Sequence, residues 1–124
     1  MPYLNITTNK PMNRKQKDLI HYTVSKAITM LPKEKPEYLM SNYNDAASMI
    51  LSGDMEKPCA MVDLMVLKNV YDDIDKALFE KLMEVITEIV STVLEIDKDR
   101  VYFVHTGALM WSVGGTDILK TLFK

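Results

Sequence analysis

Two amphipathic segments, each lying between apolar segments of strand length, constrain the fold of this chain more than any other feature. In the first, apolar residues recur at spacings of three and four, and they are Leu19, Ile20, Val24, Ala27, Ile28 and Leu31. The second repeats the pattern with Ile74, Leu78, Leu82, Ile86, Ile89 and Val93. Such spacing places apolar side chains on one face of an α-helix. We therefore predict helices over about residues 13–31 and 72–94.

Local signals support the ends of both helices. Asn13, followed three residues later by Gln16, is typical of a capping box, and Pro32 ends the first helix. Asp72 and Asp73 place negative charge at the start of the second helix, where the helix dipole favours it.

Four further segments are predicted as main strands, over residues 2–8, 38–43, 59–67 and 99–104. In the first, Leu4 and Ile6 alternate with polar residues, as in a strand with one buried face. The run from Cys59 to Leu67 is apolar on both faces, which is typical of an interior strand covered on each side. A brief apolar piece at 49–51 lies between turn signals, and a tail with Trp111, Gly114 and Gly115 follows the last strand.

The order strand, helix, strand therefore occurs twice, which predicts an α+β fold made of a duplicated βαβ unit. We expect a four-stranded mixed sheet with two helices on one face, in a single domain over residues 1–124, since one core suits a chain of this length. The other sheet face also carries Met and other apolar residues, so we expect the subunits to associate.

Composition excludes several classes of function. A formal charge of -2 and a pI near 5.6 lack the basic excess of nucleic-acid binders. The best apolar run has nine residues with Asp63 inside it, far short of a membrane helix of ~20 residues. A single cysteine and two histidines leave little for a disulfide, a metal site or a metal cofactor. The N-terminus lacks the pattern of a secretory signal, so we expect the protein in the cytosol.

Most of the reactive side chains have ordinary structural interpretations. His21 and His105 lack a second ligand or base at helical or strand spacing, and Cys59 begins an apolar strand as a buried thiol would. The ten methionines are typical of core filling and interface packing. Gly114 and Gly115 form no phosphate-binding or dinucleotide-binding motif.

Pro2 is the exception. Removal of the initiator Met1 before this small residue would expose a secondary amine at the head of a strand. An α-amino group has an ordinary pKa of about 7.7–8.0, and burial or a nearby ammonium such as that of Lys35 would lower the pKa further. A neutral amine at pH 7 can accept protons.

Short blocks spread along nearly the whole chain resemble a known family. They are Met1-Pro2-Tyr3-Leu4 with Thr8-Asn9 and Pro11, Lys35-Pro36 with Tyr38 to Tyr43, Leu51-Ser52-Gly53 leading to Pro58-Cys59-Ala60, and Asp99-Arg100-Val101-Tyr102. Together, and in this order, they resemble the macrophage migration inhibitory factor and D-dopachrome tautomerase family of the tautomerase superfamily.

The resemblance implies a homotrimer with active sites between subunits, no cofactor and no metal, and Pro2 as the catalytic base. It implies that Lys35 binds a substrate carboxylate or carbonyl, that the backbone of Leu67 contacts the substrate, and that Tyr102 comes from the adjacent subunit. The pocket lining is implied to include Tyr38, Val113 and Phe123.

The sequence also departs from the family pattern. Val104 replaces an Asn of many members, Lys68-Asn69 replaces a Gly pair, and Val62 replaces the second Cys of a Cys-x-x-Cys. Gly115 stands where the cytokine members carry Trp. Because the spacing between Lys35 and Tyr38 is one residue shorter than usual, Lys33 is the alternative substrate-binding lysine.

The resulting hypothesis is a keto-enol tautomerase acting on a small aromatic keto acid such as a phenylpyruvate-like or dopachrome-like substrate. One alternative is a cytokine-like signalling protein that binds a cell-surface receptor, which would require release without a signal peptide. A third is a small-molecule regulatory module of the ferredoxin-like type.

Overall fold

A four-stranded mixed sheet organises the chain in the computed structural model, which describes residues 1–68 and 76–122. The main elements in chain order are β1 (Tyr3–Thr8), α1 (Arg14–Ala27), β2 (Met40–Asn44), β3 (Ala60–Leu67), α2 (Lys76–Leu94) and β4 (Val101–Ala108). Short 3-10 helices occupy Ile28–Met30, Pro36–Tyr38 and Lys98–Arg100. The C-terminal part adds β5 (Ser112–Val113), β6 (Thr116–Asp117) and α3 (Ile118–Leu122).

The strand order β2-β1-β3-β4 confirms the duplicated βαβ unit. Within each unit the two strands are parallel, because the helix between them carries the chain back to the end of the sheet where the first strand began. The two units join where β1 pairs with β3 in antiparallel register. Tyr3 lies opposite Met40 on one side and Met65 on the other. The two interior strands are thus β1 and β3, as predicted for the apolar run ending at Leu67.

The core lies between one face of this sheet and the two helices. It includes Leu4, Ile6, Val62 and Leu64 from the strands, Ile20 and Val24 from α1, and Leu82, Ile86 and Val90 from α2. In α1 and β1 these residues belong to the predicted apolar faces, whereas Val90 is buried although it is not in the predicted stripe. The prediction of two helices on one face is confirmed.

The start of α1 also agrees with the sequence. The Asn13 side chain accepts a hydrogen bond from the Gln16 backbone N–H at 2.8 Å, and the Gln16 side chain accepts one from Asn13 N–H at 3.0 Å. This reciprocal capping box satisfies two N–H groups that a helix start leaves open. The predicted helix continues past Ala27 only as a 3-10 turn.

The structure corrects several boundaries. The predicted start of the second strand at Tyr38 is wrong, since Pro36 begins a 3-10 turn that includes Tyr38 and the strand begins at Met40. The apolar piece at 49–51 forms only an isolated bridge between Leu51 and Asp54. Other predictions, the acidic helix start at Asp72 and Asp73 and the site residue Phe123, lie outside the described residues.

The second face of the sheet has no helix over it among residues 1–68 and 76–122. It carries side chains of several exposed apolar residues, which are Met40, Tyr102 and Val104. Polar side chains beside them bind one another, and the Thr106 hydroxyl donates to Asp63 Oδ1 at 2.9 Å. This is the face for which the sequence predicts contact with other subunits. In the described part of the chain, every helix is too short or too polar to cross a membrane.

Candidate active site

Pro2 lies buried at the head of interior strand β1. Its carbonyl accepts a hydrogen bond from Met40 N–H at 3.2 Å, which ties this end of β1 to β2. Met1 is largely covered, with 17% of its side chain exposed, and its ammonium donates to Glu34 Oε1. The backbone of Met1 therefore spans the space from the Pro2 nitrogen to the Glu34 carboxylate.

Glu34 reaches this position because the chain turns sharply before it. Its N–H donates to the Leu31 carbonyl at 3.3 Å, and the preceding Lys33 has a positive φ of 67°. The Glu34 side chain is only 2% exposed, and Oε2 is buried with no hydrogen-bond partner in the described parts of the chain. Sequence reasoning missed this residue. The shortened spacing before Tyr38 was the available signal, since it leaves open which residue of Lys33-Glu34-Lys35 faces the N-terminus.

Lys35 and Tyr38 lie together on the other side of the same turn. The Lys35 ammonium is 5.8 Å from the centre of the Tyr38 ring, a cation–π distance, and the Tyr38 N–H donates to the Lys35 carbonyl at 3.0 Å. Lys35 and Lys33 are both exposed, whereas Glu34 between them is buried. The loop thus places one carboxylate inward and two ammonium groups at the surface.

Leu67 lies at the same end of the sheet, two residues beyond Met65, which is opposite Tyr3. The whole residue is buried, with 1% exposed, so neither its side chain nor its backbone is open to solvent in a single chain. Val113 lies in the β5–β6 hairpin and is exposed.

Tyr102 does not join these residues within one chain. Its register partner Met61 faces Thr7, four residues along β1 from Tyr3 and therefore about 13 Å toward the opposite end of the sheet. The Tyr102 side chain is 55% exposed on the face without helices. An active site that uses both Pro2 and Tyr102 thus requires two subunits.

A groove of about 500 Å³ opens on the face without helices next to the head of β1. Its walls include Tyr3, Met40, Met65, Met110 and Trp111. This volume lies within the range of about 300–1,000 Å³ that small-molecule sites occupy, and its walls are mainly apolar. Among the described residues, those that line the groove do not include the predicted site residues Pro2, Lys35 or Leu67.

Both histidines contact neighbouring side chains, as expected of structural residues. His21 Nδ1 lies 2.6 Å from the Ser41 hydroxyl, and the His105 ring stacks on Phe79 with centroids 4.2 Å apart. Partial burial lowers the pKa of His105 below its ordinary value, while the Asp63 carboxylate acts in the opposite direction.

Comparison with known proteins shows to which family the chain belongs. The family model for macrophage migration inhibitory factor (MIF) matches residues 1–118. The chain belongs to the MIF family. Among curated proteins no relative matches.

Solved structures of MIF proteins share this fold. Leishmania major MIF2 superposes with a TM-score of 0.79 at 17% identity, covering 94% of this chain and 97% of that one. The MIF homologue from Prochlorococcus marinus gives 0.77 at 21% identity, covering 93% and 97%. Toxoplasma gondii MIF gives 0.78 at 19% identity, covering 93% and 98%. At these identities the likeness shows the fold of the MIF family, not a shared substrate.

Several of the blocks that resemble MIF proteins are structural. The buried Arg100 donates to the carbonyls of Pro58, Lys57 and Leu51 at 2.8, 3.1 and 3.3 Å. Asn9 supports the same loop, since its side chain accepts from Cys59 N–H at 2.9 Å and donates to Lys57 at 3.0 Å. These contacts hold the loop before β3 against the start of β4 and against the turn after β1. The motif residues Arg100 and Asn9 therefore stabilise the fold of this chain.

Proposed function

We propose that the protein is a cofactor-free keto-enol tautomerase that uses the amine of Pro2, freed by removal of Met1, as its base. The observation that best supports this function is the placement of Pro2. It heads a buried interior strand beside an apolar groove, in a chain that belongs to the MIF family. The substrate proposed is a small aromatic keto compound of the phenylpyruvate or dopachrome type.

The reaction requires two proton transfers, one from the substrate to the Pro2 nitrogen and one from that nitrogen back to the substrate. The neutral Pro2 nitrogen accepts a proton from the α-carbon of the keto form, and the C–H electron pair becomes the C=C bond as negative charge moves to the carbonyl oxygen. Return of the proton to that oxygen gives the enol and restores the neutral amine. Lys35, with its ammonium beside Tyr38, is proposed to neutralise the charge on the substrate. Leu67, Tyr38, Val113 and Phe123 are proposed to line the pocket.

We also propose that the active form is a homotrimer. The separation of Tyr102 from Pro2 within one chain and the exposed apolar side chains on the second sheet face support this assembly. Packing that face against neighbouring subunits would cover Tyr102 and Val104 and would bring a tyrosine to the site of an adjacent subunit.

The test is the mass of the intact protein together with a phenylpyruvate tautomerisation assay on the native protein and a Pro2→Gly variant. We expect Met1 to be absent and the variant to lose most of the activity, because glycine exposes a primary amine without the ring. Active protein that retains Met1 would overturn the mechanism, since the Pro2 nitrogen would then be a non-basic amide. A fully active Pro2→Gly variant would equally contradict the proposal.

A further inference from the structure

The buried Glu34 carboxylate takes no part in the proposed mechanism. It is one of few buried charged groups in residues 1–68 and 76–122, and Met1 supplies its ammonium partner. A buried carboxylate is costly unless it is paired or hydrogen-bonded. Its second oxygen, Oε2, already lacks a partner in the part of the chain that is described.

Removal of Met1 changes the surroundings of this carboxylate. The residue that leaves is largely covered, and its backbone spans the distance between the Pro2 nitrogen and Glu34. The space that it vacates therefore has the Pro2 amine at one end and the Glu34 carboxylate at the other. The ammonium of Met1 marks where a positively charged group can lie against Glu34.

We propose that this vacated space is a subsite for a cationic or hydrogen-bond-donating group of the substrate, with Glu34 as the residue that determines specificity. The inference rests on the proposed function, in which Met1 is removed. A substrate ammonium would restore the contact that the Met1 ammonium makes, whereas a substrate carboxylate in the same space would face a like charge.

In this proposal Lys35 and Glu34 contact opposite ends of the substrate. Lys35 and Lys33 lie at the surface of the turn, and Glu34 lies inside it. A carboxylate on the substrate would then lie outward at Lys35, and an amino or hydroxyl group would lie inward at Glu34. The substrate class that fits is an aromatic keto compound that carries such a donor group.

The experiment compares two probes of similar size, phenethylamine and phenylacetate, by isothermal titration calorimetry on protein whose mass shows that Met1 is absent. Three proteins are used: the native chain, Glu34→Gln, and the control Glu37→Gln, which removes an exposed carboxylate three residues away. We expect the native chain to bind phenethylamine about tenfold to a hundredfold more tightly than phenylacetate, the range of one charge-assisted hydrogen bond. Glu34→Gln should lose this preference, and Glu37→Gln should keep it.

Equal or tighter binding of phenylacetate by the native chain would overturn the inference, and that result does not depend on whether Glu34→Gln folds. An unchanged preference in Glu34→Gln would overturn it as well. Because binding needs no turnover, the expected preference in a protein without tautomerase activity would contradict the proposed function alone. A chain that retains Met1 would overturn both, since the subsite would then be filled.

Discussion

Replacing Arg100 by methionine should destabilise the fold by about 3 kcal/mol, at about 1 kcal/mol for each of three hydrogen bonds lost. The guanidinium donates to three backbone carbonyls of the loop that precedes β3, and the residue is 7% exposed. Methionine retains much of the apolar stem, so the change removes mainly the donors. The carbonyls of Leu51, Lys57 and Pro58 would have to find water instead.

For 124 residues, an unfolding entropy of about 2.1 cal/mol/K per residue converts this loss into a fall in Tm of roughly 12 °C. The assay is thermal unfolding followed by circular dichroism, at one fixed protein concentration because association would shift Tm.

The control is Arg14→Met. Arg14 pairs with Asp18 at the surface, with 88% of its side chain exposed, so this variant should stay within about 2 °C of the native Tm. If the Arg100 variant lost no more stability than the Arg14 variant, the proposed role of Arg100 in holding the loop would be refuted.

Three further predictions concern the site, the assembly and pH. Lys35→Ala should lower kcat/KM for phenylpyruvate by about tenfold to a hundredfold through loss of a charge-assisted contact, while Lys33→Ala should change little. Steady-state kinetics of both variants would contradict this assignment if the loss were larger for Lys33→Ala. Light scattering should give about three times 14.2 kDa, and a mass equal to one chain would exclude the trimer. Since the pKa of His105 is lowered in the folded state, mainly by burial, the unfolded chain binds the proton more readily, and stability should fall as the pH drops below about 6.5. His105→Gln should flatten this part of a Tm-against-pH curve, and an unchanged slope would assign the effect to another group.

Local sequence patterns predicted much of this fold, because the formation of a helix or strand depends largely on residues that are close together in the sequence. The apolar spacing of Ile20 and Val24 identifies the buried face of α1, and Asn13 with Gln16 identifies its start. The repeated order of strands and helices then restricts the sheet to few topologies, since helical crossovers join parallel strands. The position of Pro2 at the head of a strand follows from the same pattern, whereas the interior place of that strand is given by the sheet order β2-β1-β3-β4.

Only the tertiary structure decided which polar residues meet. Glu34 and Met1 are 33 positions apart, and Arg100 is more than 40 positions from the carbonyls that it binds, so no local pattern records these contacts. The placement of Tyr102 away from Pro2 depends on the register of three strands, which a difference of a few residues in any loop would change. The sequence by itself determined the order of the main elements and the candidate base. The burial of Glu34 against Met1, by contrast, was decided by a turn of the backbone at Lys33, which only the tertiary structure shows.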